Sequence, residues 1–213
     1  MKDILIVVST FNRRDLTGIT LSGIKNHVSN ASDVIVLDDA STEYSSDWIT
    51  RNWGFKAECR ATRVGVGEAA AARYRRFIAS DYRYLCALDN DIILSHHFDL
   101  KLLNLWHSLP HDELTVVTGY RSKTQQTVFE NEHYAEVTTI GGVCHFVDRI
   151  SCWAALNDMP SVWPHNWDSL ISRVYCKKYC TAKSLIQHLG IFGSGVNGES
   201  QDTAVNSTAT LLL

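Results

Sequence analysis

The chain has 213 residues, 45% of them hydrophobic and 20% charged, a balance that fits one globular domain with a single sizeable core. Lys and Arg number 20 against 23 Asp and Glu, for a net charge of −3, so no broad basic field for nucleic acid or anionic lipid exists, and nucleic acid is a disfavoured partner. No apolar run reaches the roughly 18 residues of a membrane span, and the apolar stretch at 4–8 is too short for a secretory signal, so a cytoplasmic location without a transmembrane segment is expected.

Residues 4–8, Ile-Leu-Ile-Val-Val, form an unbroken apolar run rich in β-branched side chains, the pattern of a strand covered on both faces. Asn12 is placed to cap a helix reaching about residue 26, because Leu16, Ile19, Thr20, Ile24 and His27 recur at helical spacing. A second buried strand over 33–37 ends in the turn-rich cluster Asp38-Asp39-Ala40-Ser41-Thr42. A short helix over 47–53 and a third strand over 55–59 follow. Gly65-Val66-Gly67 then opens an Ala- and Arg-rich helix over 68–80. A fourth strand, 83–88, runs into Asp89-Asn90-Asp91. Strands alternating with helices imply βαβ units and a mainly parallel sheet, which binds ligands at the carboxyl ends of its strands. Ser9-Thr10, Asp38-Asp39 and Asp89 to Asp91 all fall at such ends, so three polar clusters are expected on one rim.

The second half reads as a strand over 114–119, strands at 127–129 and within 136–146 of a mixed sheet, and a helix over 148–156. A further helix is expected over 167–179, capped near Asn166, and an extended segment over 182–189. Beyond Gly193 the composition turns to Gly, Ser, Asn and Thr, as in a flexible tail. Six Cys, without paired Cys-x-x-Cys sites, read as reduced thiols, mostly buried, rather than a zinc centre. Cys176 and Cys180 share a face if their segment is helical.

Asp89 and Asp91 stand two residues apart at the end of the apolar run 84–88. Hard divalent cations take oxygen ligands, and a metal riding on a nucleotide is held by one or two carboxylates plus phosphate oxygens. The pair reads either as such a site or as the solvated end of a strand.

Four stretches together resemble family 2 glycosyltransferases of the GT-A fold: Ser9-Thr10-Phe11-Asn12-Arg13, Leu37-Asp38-Asp39-Ala40-Ser41, Gly65 through Arg73, and Leu88-Asp89-Asn90-Asp91. Gly141-Gly142, Trp167-Asp168 and Gln187-His188-Leu189-Gly190 extend the likeness more loosely into the second half. The resemblance implies an α/β GT-A fold in a single domain over 1–195, with a mainly parallel nucleotide-sugar-binding half (1–94), a smaller mixed acceptor half (95–195), and a flexible tail (196–213). It implies that Thr10, Phe11, Asp39, Arg73, Asp89 and Asn90 bind the nucleotide sugar. Thr10 and Phe11 would line the base pocket, Asp39 would accept from a uracil ring N–H, Arg73 would approach base or diphosphate, and Asp89 would reach the ribose. Asp91 and His188 would hold Mn²⁺ or Mg²⁺, and Asp168 would be the general base.

The activity so implied is transfer of a sugar from a nucleotide-diphosphate donor, a UDP-sugar in the first place, to an acceptor hydroxyl, with inversion. Glycan, peptide and small-molecule acceptors all remain open. A retaining transferase on the same fold and a non-catalytic nucleotide- or glycan-binding module are the alternatives. Several assignments have structural counterparts. Asp168 equally suits the first turn of a helix, where an acid favours the dipole. His188 equally suits a core beside Leu185, Ile186 and Leu189, although the Gly-rich 190–195 that follows favours a loop over the site. Gly141-Gly142 marks either a close approach or a bulge. Trp153, Trp163 and Trp167 offer either sugar-stacking faces or ordinary packing.

Overall fold

The computed structural model describes residues 2–111, 113–123, 125–189 and 208. In chain order the elements are β1 (Ile4–Thr10), α1 (Arg14–His27), β2 (Ser32–Asp38), α2 (Ser46–Trp53), β3 (Lys56–Cys59), α3 (Val66–Ile78), β4 (Tyr84–Leu88), β5 (Ile92–Leu94) and α4 (Phe98–Ser108). Then come β6 (Thr115–Thr118), β7 (Thr127–Glu130), β8 (Tyr134–Val137), β9 (Cys144–Asp148), α5 (Arg149–Asp158), α6 (Trp167–Val174), β10 (Lys177–Thr181) and β11 (Ile186–His188).

β1 explains the architecture. Its side chains alternate between two cores: Ile4, Ile6 and Val8 join Leu21 and Ile24 of α1 and Phe98 and Leu102 of α4, whereas Leu5 and Val7 join Ala70, Tyr74 and Phe77 of α3 and Cys152 of α5. These five apolar residues of β1 are fully buried, each worth about 1.5–3 kcal/mol of apolar burial. A strand covered on both faces demands helices above and below the sheet, and the connections supply them. The nine-stranded sheet has the order β3-β2-β1-β4-β9-β6-β10-β8-β7. β3, β2, β1 and β4 are mutually parallel, β9 runs antiparallel to both β4 and β6, and β8 is antiparallel to β10. The chain leaves β1 toward β2 on one side and returns to β4 on the other, which opens a crevice at their carboxyl ends.

A separate two-stranded ribbon pairs β11 with β5, placing His188 opposite Ile92. Among the described residues no helix is long and apolar enough to cross a membrane.

Three expectations need correction, and one helix was not expected. Asn12 does not cap α1: Asn12 and Arg13 both adopt left-handed backbone, and the Asn12 carboxamide accepts from the Thr42 N–H at 2.8 Å, tying the first turn to the β2–α2 loop. The helix expected over 167–179 ends at Val174. The residues beyond it form β10, because Tyr179 and Cys180 pair with Val117 and Thr118 of β6 and pack into opposite cores. Cys180 is therefore buried while Cys176 is exposed, and all six thiols are free. The strand segment within 136–146 is two strands, β8 and β9, separated by the turn that holds Gly141-Gly142. Finally, α4 is a helix that the sequence analysis does not assign, with Phe98, Leu102, Leu105 and Trp106 on its buried face. The Gly-rich segment at 190–195 and the tail at 196–213 lie outside the described residues, Thr208 excepted; its backbone N–H donates to the Ser184 carbonyl at 2.8 Å.

Candidate active site

The three polar clusters meet at the crevice. Thr10 closes β1 and donates through Oγ1 to Asp38 at 2.9 Å, while its carbonyl accepts from the Asp39 N–H at 2.9 Å. Asp38 is buried and spends its carboxylate on the neighbouring turn, accepting also from the Ser41 N–H and from Cys59 Sγ at 3.0 Å. That carboxylate pushes the Cys59 thiol up to about 11. Asp39, one residue on, holds the loop before α3: its two oxygens accept from the Val64 and Gly65 N–H groups at 2.9 and 3.0 Å. Gly65 sits there with φ near +90°, a conformation open to glycine and strained for other residues. Phe11 is covered by the Arg63 guanidinium 4.0 Å above its ring.

α3 carries Arg73 inward. The residue is 1% exposed, and Nη1 donates to Asp89 Oδ1 at 3.0 Å. Its guanidinium lies 5.2 Å over the Trp167 ring. Arg73 Nε is buried and has no hydrogen-bond partner among the described residues. Asp89 leaves 34% of its side chain exposed against 2% for Arg73, so the carboxylate is the accessible half of this pair. Asn90 turns the other way: its amide donates to Thr17 Oγ1 of α1 at 2.7 Å, which makes it a strut of the turn.

Asp91 is the best-supported carboxylate. It is 3% exposed, Oδ2 accepts from Arg13 Nη1 at 2.7 Å, and Oδ1 lies 3.3 Å from His188 Nε2. The β5–β11 ribbon brings this histidine in, and the Leu189 N–H donates to the Asp91 carbonyl at 2.7 Å to complete the register. Burial works against the Asp91 charge, but His188 and Arg13 outweigh it and hold the carboxyl below the usual range. Burial and the nearby Asp91 charge instead raise Asp89 above that range, against the pull of Arg73. The two carboxyls are thus driven apart, with Asp91 the more firmly ionised.

These residues fit a divalent ion. One carboxylate oxygen and one imidazole nitrogen 3.3 Å apart form an N/O donor pair, and imidazole tilts the choice from Mg²⁺ toward Mn²⁺. Among the described residues no group of three or more His, Cys, Asp or Glu side chains could hold a metal by itself. Two protein ligands are the number that leaves room for phosphate oxygens.

Asp168 stands in the first turn of α6, half-buried, where its Oδ1 accepts from the Ser169 N–H at 2.8 Å. The preceding Trp167 packs so tightly on the Gly142 backbone that a Cβ there would lie 2.6 Å from the ring. Trp163 stacks on Trp167 at 5.8 Å; both are buried, whereas Trp153 is 63% exposed. Gly67 of α3 is equally constrained, since a Cβ would meet the Trp163 and Pro164 carbonyls at 2.2 and 2.3 Å.

Sequence reasoning assigned no role to Arg13, Arg63, Tyr120 or His145. Arg13 carries a signal, a cation directly after the first strand. Tyr120, whose ring meets that of His188 edge-on at 6.0 Å, and His145 carry none, because long-range pairing alone puts them here.

A family model described as Glycosyl transferase family 2 matches residues 5–154. No curated protein sequence matches the chain. Among solved structures, GalNAc-T7 with UDP, GalNAc and Mn²⁺ superposes with a TM-score of 0.70 at 10% identity, covering 87% of this chain and 43% of that one. S. aureus TarS (residues 1–349) in complex with UDP-GlcNAc gives a TM-score of 0.59 at 17% identity, covering 84% and 56%. The mannosyltransferase PcManGT from Pyrobaculum calidifontis, with GDP-Man and Mn²⁺, gives 0.54 at 15%, covering 80% and 50%. The chain therefore spans about half the length of these proteins, and the likeness at such identities is one of fold. The order of the strands, the two-sided core and the match over 5–154 agree: the chain has the GT-A fold and belongs to glycosyl transferase family 2.

Proposed function

We propose that this chain transfers a sugar from a nucleotide-diphosphate sugar, a UDP-sugar in the first place, to an acceptor hydroxyl, with Mn²⁺ or Mg²⁺ on Asp91 and His188 and with inversion at the anomeric carbon. The observation that carries the reading is the meeting of Asp91, His188, Arg13, Asp89 and Arg73 at the carboxyl ends of β1 and β4. Two acids and two guanidiniums beside a histidine suit a diphosphate with its counter-cation and a ribose better than they suit a structural core.

The base would lie against Phe11, framed by Arg63, with Thr10 at its edge. Asp39 keeps a lone pair on each oxygen beyond its loop contacts and would accept from a uracil N–H. Asp89, fixed by Arg73, would take the ribose hydroxyls. A bound divalent ion would neutralise the diphosphate leaving group as a Lewis acid. Asp168 would take the acceptor proton, a contribution of about 10²–10⁴ in rate. The larger share would come from holding donor and acceptor in register.

The test is calorimetric titration of UDP, GDP and dTDP, each with Mn²⁺ and with chelator. Metal-dependent binding of one nucleotide supports the reading and names the donor class. Absence of binding by all three, in the folded protein, removes it and leaves the alternative of a module without transferase activity. Stereochemistry of the product by NMR separates inversion from retention.

A further inference from the structure

A cavity is linked to the site through the ring pair of Tyr120 and His188. It measures about 480 Å³ and is lined by Tyr120, Gly141, Ser169, Ser172, Arg173 and Lys178, among others. Tyr120 is the residue whose ring meets His188, and Ser169 follows Asp168, so the cavity wall includes a neighbour of the proposed metal ligand and a neighbour of the proposed base. Its charge departs from that of the whole protein. The chain carries −3 overall, yet among the described residues the lining holds two cations and no carboxylate.

The two cations are available. Arg173 is exposed in the last turn of α6, one helical turn beyond Ser169, and makes no hydrogen bond or ion pair among the described residues. Lys178 is half-buried on β10. Its Nζ donates to the Tyr175 carbonyl at 2.7 Å, which leaves two of three ammonium protons free. Glu136, a carboxylate whose charge acts on Lys178, is already paired with Lys177 at 2.9 Å. A planar guanidinium and an ammonium facing one polar cavity are the donor set that recognises carboxylate or phosphate.

Resting on the transferase reading above, we propose that this cavity is the acceptor site and that the acceptor carries an anionic group, carboxylate or phosphate, which Arg173 and Lys178 hold while the neighbouring hydroxyl is presented beside Asp168. Hydroxyl-rich walls at Ser169 and Ser172 suit the polyol body of such an acceptor. Neutral acceptors would leave both cations without an anionic partner from the acceptor.

The test compares glucose, glucose 6-phosphate and glucuronate as binding probes, by calorimetry and ligand-observed NMR, with saturating UDP and Mn²⁺ and again without nucleotide. The two anionic probes should bind at least about ten-fold more tightly than glucose in both conditions. Glucose 6-phosphate against glucuronate separates phosphate from carboxylate preference. Arg173→Gln combined with Lys178→Gln should erase the difference while UDP–Mn²⁺ affinity stays within about two-fold. Equal binding of all three probes by the native chain, or an anion preference that survives in the double variant, overturns the proposal. Failure of UDP to bind defeats the donor reading instead, and the nucleotide-free comparison still decides the cavity by the same criterion.

Discussion

His145 is predicted to make the protein lose stability as the pH falls below neutrality. It sits on β9, fully buried. Nε2 lies 2.9 Å from the Gly141 carbonyl, which can only accept, so Nε2 carries the proton. Nδ1, 2.5 Å from the Tyr74 hydroxyl, must then accept. The Tyr74 oxygen in turn receives the Tyr175 hydroxyl at 3.4 Å. A second proton on the imidazole would convert its acceptor to a donor, inside a core and near the Arg73 charge. Burial, then Arg73, drive its pKa from 6.5 down to about 3, against the Gly141 carbonyl. The unfolded chain therefore binds a proton that the folded chain refuses between those two values. The contribution is complete above pH 6.5 and is lost at about 1.4 kcal/mol per pH unit below it. At pH 5 the loss is about 2 kcal/mol, or about 4–8 °C in Tm for a chain of this size. Urea unfolding at pH 7.5 and 5.0 measures it. His145→Gln, which keeps a donor and an acceptor, should be less stable at pH 7.5 and lose about 2 kcal/mol less on going to pH 5.0. Equal losses in the native chain and the variant, or a His145 ring proton that titrates above pH 5 by NMR, would refute the reasoning.

The remaining predictions concern packing and chemistry. Gly142→Ala forces the Trp167 ring to move from a Cβ at 2.6 Å and should cost about 1–3 kcal/mol in urea unfolding, whereas Gly141→Ala, with nothing within 4 Å, should be close to neutral. Asp91→Ala should remove the Mn²⁺ dependence of nucleotide binding, a loss of at least about ten-fold by calorimetry, and an unchanged metal requirement would displace Asp91 as a ligand. Asp168→Asn should leave donor affinity intact and lower transfer by about 10²–10⁴-fold; a variant with native turnover would show that another group takes the proton.

Most of the first half was legible in the chain itself. The runs that became β1, β2 and β4 are short, apolar and β-branched or bounded by turn residues, and the Ala-rich stretch of α3 follows a glycine pair, so local preference and tertiary demand agree there. The placement of Thr10, Asp39 and Asp89 on one rim followed from strand ends in a parallel sheet. Elsewhere the signal was local and the decision was not. Nothing in Val174-Tyr175-Cys176 announces the end of α6; pairing of Tyr179 with Val117 in β6 overrides the helical pattern. Asn12 is an ordinary cap residue by type, yet the ties to Ser41 and Thr42 take its backbone and side chain into another loop. The arrival of His188 at Asp91 depends on the β5–β11 register, and the neutral His145 depends on Tyr74 and Gly141 from two other segments. Propensity and periodicity act over a few neighbouring residues and so can be read along the chain. Hydrogen-bond register and burial between segments far apart in sequence are set only when the sheet closes, and those contacts decided the Asp91–His188 pair, the packing of Trp167 on Gly142 and the cavity that Arg173 and Lys178 line.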